Sequence, residues 1–155
     1  MSQLHLDAVG DRSATLVAPL PAVEPTAEPT AIVFRDGLPG FEACRRFALL
    51  VSDATAPLRR LDALDGPPAS FLGIDPRLAM SGYRCDLREP DRRRLEATPA
   101  TPLVWLALVA VETDGTVTVN LRAPVVINPD RMIGRQVLSD DAAHAVRHVL
   151  LQPEP

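Results

Sequence analysis

The sequence predicts a mainly β fold: a small antiparallel β-barrel-like domain or closed sandwich with one or two short helices. Residues 116–128, TVTVNLRAPVVIN, open with strict alternation of polar and apolar residues, which is the period of a half-buried strand. The pair Asp114-Gly115 separates this stretch from the apolar run 103–111, a pattern typical of a hairpin. Pro124 then predicts a break or an edge, because proline has no N–H to give a sheet.

The other predicted strands are short apolar runs bounded by turn residues. The run 57–64 has apolar residues three apart, which leaves both helix and strand open. The remaining strands are predicted at 31–34, 46–51, 71–74, 83–87 and 131–138. The sum is about eight or nine short strands, the number expected of a small barrel or sandwich.

Two segments have the pattern of short helices. Residues 89–97 are charged, and Pro90 falls in what would be the first turn. Residues 140–151 carry small and apolar residues at helical spacing, with Ser139 as a predicted N-cap.

Composition divides the chain into an arm, one domain and a tail. The length of 155 residues predicts a single domain. Residues 1–30 are rich in Pro and Ala and are predicted to form a flexible N-terminal arm. The β domain is predicted at 31–151 and a disordered tail at 152–155. Because aromatic residues are only 4%, we expect a core built mostly from Val, Leu, Ile and Ala.

The charge balance favours a protein partner over nucleic acid. The net charge is −4, and the Arg residues are scattered, whereas a nucleic-acid binder usually has a basic field.

No apolar run has the length of a membrane span, and the first residues lack the pattern of a signal peptide. Cys44 and Cys85 form no metal-binding spacing. We therefore expect a cytoplasmic protein with reduced thiols, no membrane and no direct nucleic acid contact.

The sequence does not predict an enzyme, a cofactor or a metal site. His144 and His148 would share a face of the predicted C-terminal helix, but a third ligand is missing. A triad of His148 with a Ser and an Asp has little support, because no GxSxG-type nucleophile turn exists. Arg45 could lower the thiol pKa of Cys44, although a buried cysteine is the favoured interpretation.

Four motifs together resemble the FliW family of flagellar assembly factors. They are GLPGFE at 37–42, FLGIDP at 71–76, TVTVNLRAPVVIN at 116–128 and GRQVL at 134–138. Their order and spacing match over roughly residues 32–151. The resemblance implies a small barrel without catalysis that binds the translational regulator CsrA and relieves its repression of flagellin mRNA. It also implies that flagellin binds as a competing partner, so that each ligand lowers the other's apparent affinity.

Polar residues inside or beside these motifs are the predicted partner contacts. Asn120 and Asn128 have an alternative role, in which they satisfy backbone groups at strand ends. The motif residues predicted to set the shape of the turn are Gly37, Pro39, Gly40 and Phe41. The predicted contacts are Asp62, Asp75, Asn120, Arg122, Asn128 and Gln136.

The segment Leu61–Ala63 departs from the resemblance, because the family usually has Leu-Gln-Ser there. This departure leaves open a flagellin-binding chaperone that has lost CsrA binding. A barrel that encloses a small ligand is a further alternative, although the low aromatic content argues against it.

Overall fold

A computed structural model describes residues 30–154, in which seven strands close into a barrel. The predicted arm at 1–30 lies outside the described residues except for Thr30. The elements are β1 Ile32–Val33, β2 Arg46–Val51, β3 Arg59–Ala63, β4 Ser70–Ile74, α1 Pro76–Ala79, α2 Glu89–Arg94, β5 Val104–Val111, β6 Val117–Val119, β7 Val125–Asn128, β8 Ile133–Gln136 and β9 His148–Leu151.

The barrel runs in the order β4-β3-β2-β1-β8-β7-β5 and closes where β5 pairs with β4. Every neighbouring pair is antiparallel except β1 and β8, which run parallel and meet at Val33 and Ile133. β6 pairs with the end of β5 beyond β7, and β9 pairs with β6. The prediction of a small, mainly antiparallel barrel is confirmed, with one parallel pair added.

The predicted break at Pro124 is confirmed. Val119 pairs with Val109, and Val125 pairs with Leu106. Three residues along β5 therefore correspond to six residues along the paired segment from β6 to β7. The additional residues form a loop between β6 and β7, and this loop begins at Asn120, whose N–H donates to the carbonyl of Leu108. A strand interrupted in this way can pair along one edge of β5 and still expose a loop.

The barrel interior is centred on phenylalanine. Phe34, Phe47 and Phe71 are all at most 3% exposed, and the rings of Phe34 and Phe47 meet edge to face at 4.8 Å. Phe41 packs edge-on against Phe71 at 5.0 Å, so all four phenylalanines of the chain belong to this cluster. Most of the other buried interior residues are Val, Leu, Ile or Ala, as expected, but the few aromatics are concentrated in one place.

A second apolar cluster covers the outside of the barrel on one side. Trp105 and Val109 of β5 and Val126 of β7 point away from the phenylalanines and pack with Tyr83 and Leu95. β5 and β7 are thus buried on both faces, which explains why their sequences are nearly continuous apolar runs.

Two elements between β4 and α2 differ from the sequence prediction, and the segment left open is resolved. Residues 83–87 form no strand: they pair with no strand of the described sheet, and Tyr83 packs in the outer cover. Residues 76–79 form the short helix α1, which Asp75 caps by accepting from the N–H of Arg77. The sequence left both helix and strand open at 57–64. The structure has a strand there, because β3 pairs with both β2 and β4.

The predicted C-terminal helix at 140–151 is wrong. Oγ of Ser139 accepts from the N–H of Asp141, and Oδ1 of Asp141 accepts from the N–H of Ala143. These side-chain bonds form turns that compete with a helix, and residues 148–151 then gain β-sheet partners by pairing with β6. The second predicted helix is confirmed as α2, between Glu89 and Arg94.

Candidate partner-binding groove

A surface groove lies between the turn at 37–42, the loop after β6 and strand β8. Its volume is about 500 Å³, and its lining includes Gly37, Pro39, Glu42, Asn120 and Gln136. Four of these five residues are sequence-predicted, two as partner contacts and two as shape-determining residues. Residues far apart in the chain are thus brought together on one surface.

The turn that forms one wall depends on glycine. Gly37 has φ +65°, and a Cβ added there would lie 2.7 Å from Cα of Glu42. The N–H of Gly37 donates to the carbonyl of Phe34, and Phe41 anchors the turn against Phe71. Gly40, at φ +84°, reverses the chain at the tip. The close approach of backbone to backbone explains why the motif begins with glycine.

Two amide side chains form the opposite wall. Oδ1 of Asn120 accepts from the N–H groups of Arg122 and Ala123, both at 3.0 Å. Nε2 of Gln136 donates to the carbonyl of Ala123 at 2.8 Å. Each amide is held by one end, so Nδ2 of Asn120 and Oε1 of Gln136 have no hydrogen-bond partner among residues 30–154. The arrangement offers one donor group and one acceptor to a ligand.

Glu42 adds a carboxylate that the sequence prediction did not include. Its Oε2 accepts from the N–H of Gly40 at 3.0 Å, and this bond lowers the pKa of Glu42. The carboxylate therefore stays ionised at neutral pH. The sequence could have indicated Glu42, because it is the last residue of the GLPGFE motif.

Arg135 was also missed, and it connects the groove to α2. Its Nη1 lies 3.3 Å from Oδ2 of Asp36 at the rim, and its Nε lies 3.4 Å from Oδ1 of Asp91. Asp91 is only 3% exposed and also contacts Nε of Arg88 at 3.3 Å. Two guanidinium groups compensate this buried carboxylate. The sequence could have indicated Arg135, because it is the Arg of the GRQVL motif.

The other predicted contacts lie away from the groove. Arg122 is exposed in the adjoining loop, and its carbonyl accepts from the N–H of Ser139. Asn128 is 0% exposed; its Nδ2 donates to the carbonyl of Leu95 at 2.8 Å, and its Oδ1 accepts from the N–H of Asp130. The geometry of Asn128 therefore matches its alternative role, in which the side chain satisfies backbone groups.

The two predicted aspartates are held by neighbouring side chains. Oδ1 of Asp62 accepts from Oγ of Ser70 at 2.6 Å, and Oδ2 lies 2.9 Å from Nη2 of Arg60. Asp75 accepts from the backbone N–H and the guanidinium of Arg77, and the guanidinium bond is the main reason that the pKa of Asp75 is lowered. Neither aspartate lines the groove.

His144 and His148 share no site. His144 is 2% exposed, its ring stacks on Tyr83 at 4.0 Å, and its Nδ1 lies 2.5 Å from Oγ of Ser139. Nε2 of His148 instead lies 3.2 Å from the carbonyl of Ala79. Asp141 also approaches His144, with Oδ2 3.5 Å from Nε2. Within residues 30–154 no cluster of His, Cys, Asp and Glu could hold a metal ion.

Both cysteines are free thiols, as expected from the sequence. Cys44 is buried, and its Sγ donates to the carbonyl of Pro67 at 3.3 Å. Burial raises the pKa of Cys44, so the neighbouring Arg45 does not activate the thiol.

The family model described as FliW protein matches residues 22–150. The chain belongs to the FliW family. The flagellar assembly factor FliW of Geotalea uraniireducens strain Rf4 is 33% identical over 114 residues, which cover 73% of this chain and 69% of the relative. That of Natranaerobius thermophilus is 30% identical over 129 residues, covering 82% and 85% of the two chains.

A solved structure supports the same assignment. The crystal structure of the flagellar assembly factor FliW superimposes with a TM-score of 0.72 at 28% identity, covering 82% of this chain and 89% of that one. The FliW barrel explains why the groove residues converge. No helix among residues 30–154 has the length and apolar character needed to cross a membrane.

Proposed function

We propose that this FliW-family protein is a cytoplasmic flagellar assembly factor that works as a non-enzymatic adaptor. It binds the translational regulator CsrA and so relieves repression of flagellin mRNA translation. It also binds flagellin, which competes with CsrA. Free flagellin then withdraws the adaptor from CsrA and lowers its own synthesis, a reciprocal coupling between two ligands.

The convergence of three motifs on the groove is the observation that carries this proposal. Gly37, Pro39 and Glu42 come from GLPGFE, Asn120 comes from the central strand motif, and Gln136 comes from GRQVL. The three motifs meet at the surface and, besides holding the local backbone, present one amide N–H group and one amide oxygen, as expected of a contact site.

The charge of the groove fits a basic partner. Glu42 is an ionised carboxylate at the rim, and the chain carries a net charge of −4. A regulator that binds RNA presents basic surface, so an acidic adaptor can bind it and repel RNA at the same time.

The alternative of a flagellin-binding chaperone without CsrA binding rests on the departure at Leu61–Ala63. Leu61 is 1% exposed and Ala63 packs against the same interior cluster. Only Asp62 of the three faces outward, where it is bound to Ser70 and Arg60. Leu61 matches the Leu of the family pattern, so the departure consists of one outward-facing residue, Asp62, and one residue packed against the interior, Ala63. Because Asp62 is on the surface, a lost partner contact stays an alternative.

The alternative of a small-ligand barrel has no support in the described interior. Phenylalanine rings occupy the centre of the barrel. An apolar recess of about 340 Å³ opens beside Thr30 and is lined by Ile32, Leu49 and Met132, without a charged side chain. Small-molecule sites usually add a few convergent polar groups that fix the ligand's orientation.

Isothermal titration calorimetry tests the proposed function. The protein is titrated with CsrA and with flagellin from the same organism, and each is then titrated into the complex with the other. We expect binding to each at micromolar affinity or better, and a weaker apparent affinity in the competition. Absence of heat with both partners at about tens of micromolar contradicts the proposal. Binding of flagellin alone selects the chaperone alternative.

A further inference from the structure

The strand β9, His148–Leu151, has one unpaired edge. It is the last strand of the sheet order and pairs only with β6. Among residues 30–154 no strand pairs with its other side. Alternate residues of a strand point their N–H and C=O groups to opposite edges, so part of the backbone of β9 faces outward without a sheet partner.

The β9 edge, defined here as residues 148–151, is short and pairs with β6 through a register shift, but its exposed side chains do not block pairing. Natural edges commonly carry Lys, Pro or an inward charge. Here the exposed side chains are apolar: Val149 is 36% and Leu151 65% exposed. The adjacent Val146 is 60% exposed. An exposed apolar edge of this kind is the geometry used for β-strand addition by an extended peptide.

Acidic residues flank one end of this edge. The turn 112–115 lies beside the end of β9, because a Cβ added at Gly115 would lie 3.6 Å from Cβ of Pro153. Asp114 in that turn and Glu154 after the strand are both exposed. Two carboxylates are therefore available to a cation that approaches this end of the edge.

The charges nearest the edge leave Asp114 ionised. Its Oδ1 accepts from the N–H of Thr116 at 2.8 Å, and this bond is the main reason that the pKa of Asp114 is lowered. Arg147 is the basic residue before the strand, and it already forms an ion pair with Glu112. The end of the edge therefore offers negative charge to a partner.

We propose that the β9 edge binds an extended segment of a partner protein that is apolar at alternate residues and has Arg or Lys beside them. The backbone of the segment would pair with β9, its apolar side chains would contact Val149 and Leu151, and its cation would face Asp114 and Glu154. This inference is independent of which protein supplies the segment. It adds a second contact surface to the groove.

A second copy of the chain is a poorer occupant. Two copies would contribute only the strand of four residues each. Stable dimers bury about 1,200–2,000 Å² in total, which is more than such short strands supply. The basic residue that a second copy would bring is Arg147, which is already bound to Glu112.

The test uses the full chain labelled for NMR and a short capped peptide of alternating Thr and Val with Arg at both ends. We expect saturable shifts and slowed amide exchange at His148–Leu151. A peptide with Glu in place of Arg should bind about tenfold more weakly, and one with a central Pro should not bind, because Pro blocks strand pairing.

Matched variants of the protein complete the test. Val149→Lys and Leu151→Lys should weaken peptide binding about tenfold, because each replaces an exposed apolar contact with a charge that repels the peptide. Val51→Lys, at an exposed valine of β2, should leave it unchanged. The proposal is overturned if the peptide leaves the amides of 148–151 unaffected, or if Val51→Lys weakens binding as much as Val149→Lys. A concentration-dependent dimer with protected β9 amides, detected by light scattering without peptide, assigns the edge to a second copy and also overturns it.

Discussion

The ring of Phe34 occupies the space that Gly134 leaves empty. A Cβ built on Gly134 would lie 2.5 Å from Cζ and 2.7 Å from Cε1 of Phe34. Gly134 lies in β8, and Phe34 directly follows β1. These two strands form the parallel pair of the barrel. The glycine therefore lets an aromatic ring pack between these strands, and it begins the GRQVL motif for a packing reason.

We predict that Gly134→Ala destabilises the fold by about 1–3 kcal/mol, the usual cost of overpacking a filled core. Chemical denaturation measures the free energy of unfolding. The matched double-mutant cycle uses Phe34→Leu, which removes the ring that a methyl group would meet. The combined variant should be more stable than the sum of the single changes implies. Strict additivity of the two changes would show that the ring does not set the cost.

Asn128→Ala should destabilise the protein by about 1–3 kcal/mol, because it leaves the carbonyl of Leu95 and the N–H of Asp130 without their amide partner. Asn128 is 0% exposed, so partner affinity measured on the folded variant should equal that of wild type. The measurements are denaturation and calorimetry at a temperature where the variant is folded. A stable variant that has lost partner binding would restore Asn128 as a contact residue.

Tyr83 should make the stability fall in strong alkali. Burial raises the pKa of Tyr83 from 10.0 to about 12. The proton is thus held more tightly in the folded state, so this stabilisation is complete below pH 10 and is lost as the pH rises from 10 through about 12. The contribution of this group to the slope is at most about 1.4 kcal/mol per pH unit.

Tyr83→Phe isolates this effect. The variant loses the hydrogen bond from the hydroxyl to the carbonyl of Leu121, which is 2.8 Å long, and should be about 1–3 kcal/mol less stable at neutral pH. Its difference from wild type should shrink above pH 10. Tyr83 is the only tyrosine, so tyrosinate absorbance reports its ionisation directly. A midpoint near 10 in the folded protein would contradict the predicted shift.

Glu42→Arg should weaken partner binding about tenfold, because it reverses a charge at the rim of the groove. The control is Asp53→Arg, which makes the same change of charge at an exposed residue outside the groove. Calorimetry with CsrA and flagellin gives the affinities, and thermal unfolding confirms that both variants fold. Equal effects of the two substitutions would indicate a general charge effect and remove the groove from the proposed contact surface.

Local pattern was sufficient for most of the strands. The alternation at 116–119, the hairpin after Val111 and the break at Pro124 depend on neighbouring residues alone, and all three are present in the structure. The helix α2 was also accessible, because Pro90 and the surrounding charges are local signals. The FliW assignment followed from motif order for the same reason.

The C-terminal segment shows where local pattern fails. Its apolar residues fit a helix, but turn bonds from Ser139 and Asp141 interrupt it, and pairing with β6 supplies backbone partners for residues 148–151. β6 lies far earlier in the chain, and no local rule contains that contact.

The sequence by itself determined the alternating strands, the glycine turn and the family, since each depends on residue type and spacing along the chain. Only the tertiary structure decided that Asn120 and Gln136 share a groove with Glu42, and that Asn128 is buried. It also decided that the phenylalanines meet at the centre of the barrel. The physical reason is closure: when β4 pairs with β5, residues remote in sequence become neighbours, and their burial and partners are fixed by the barrel as a whole.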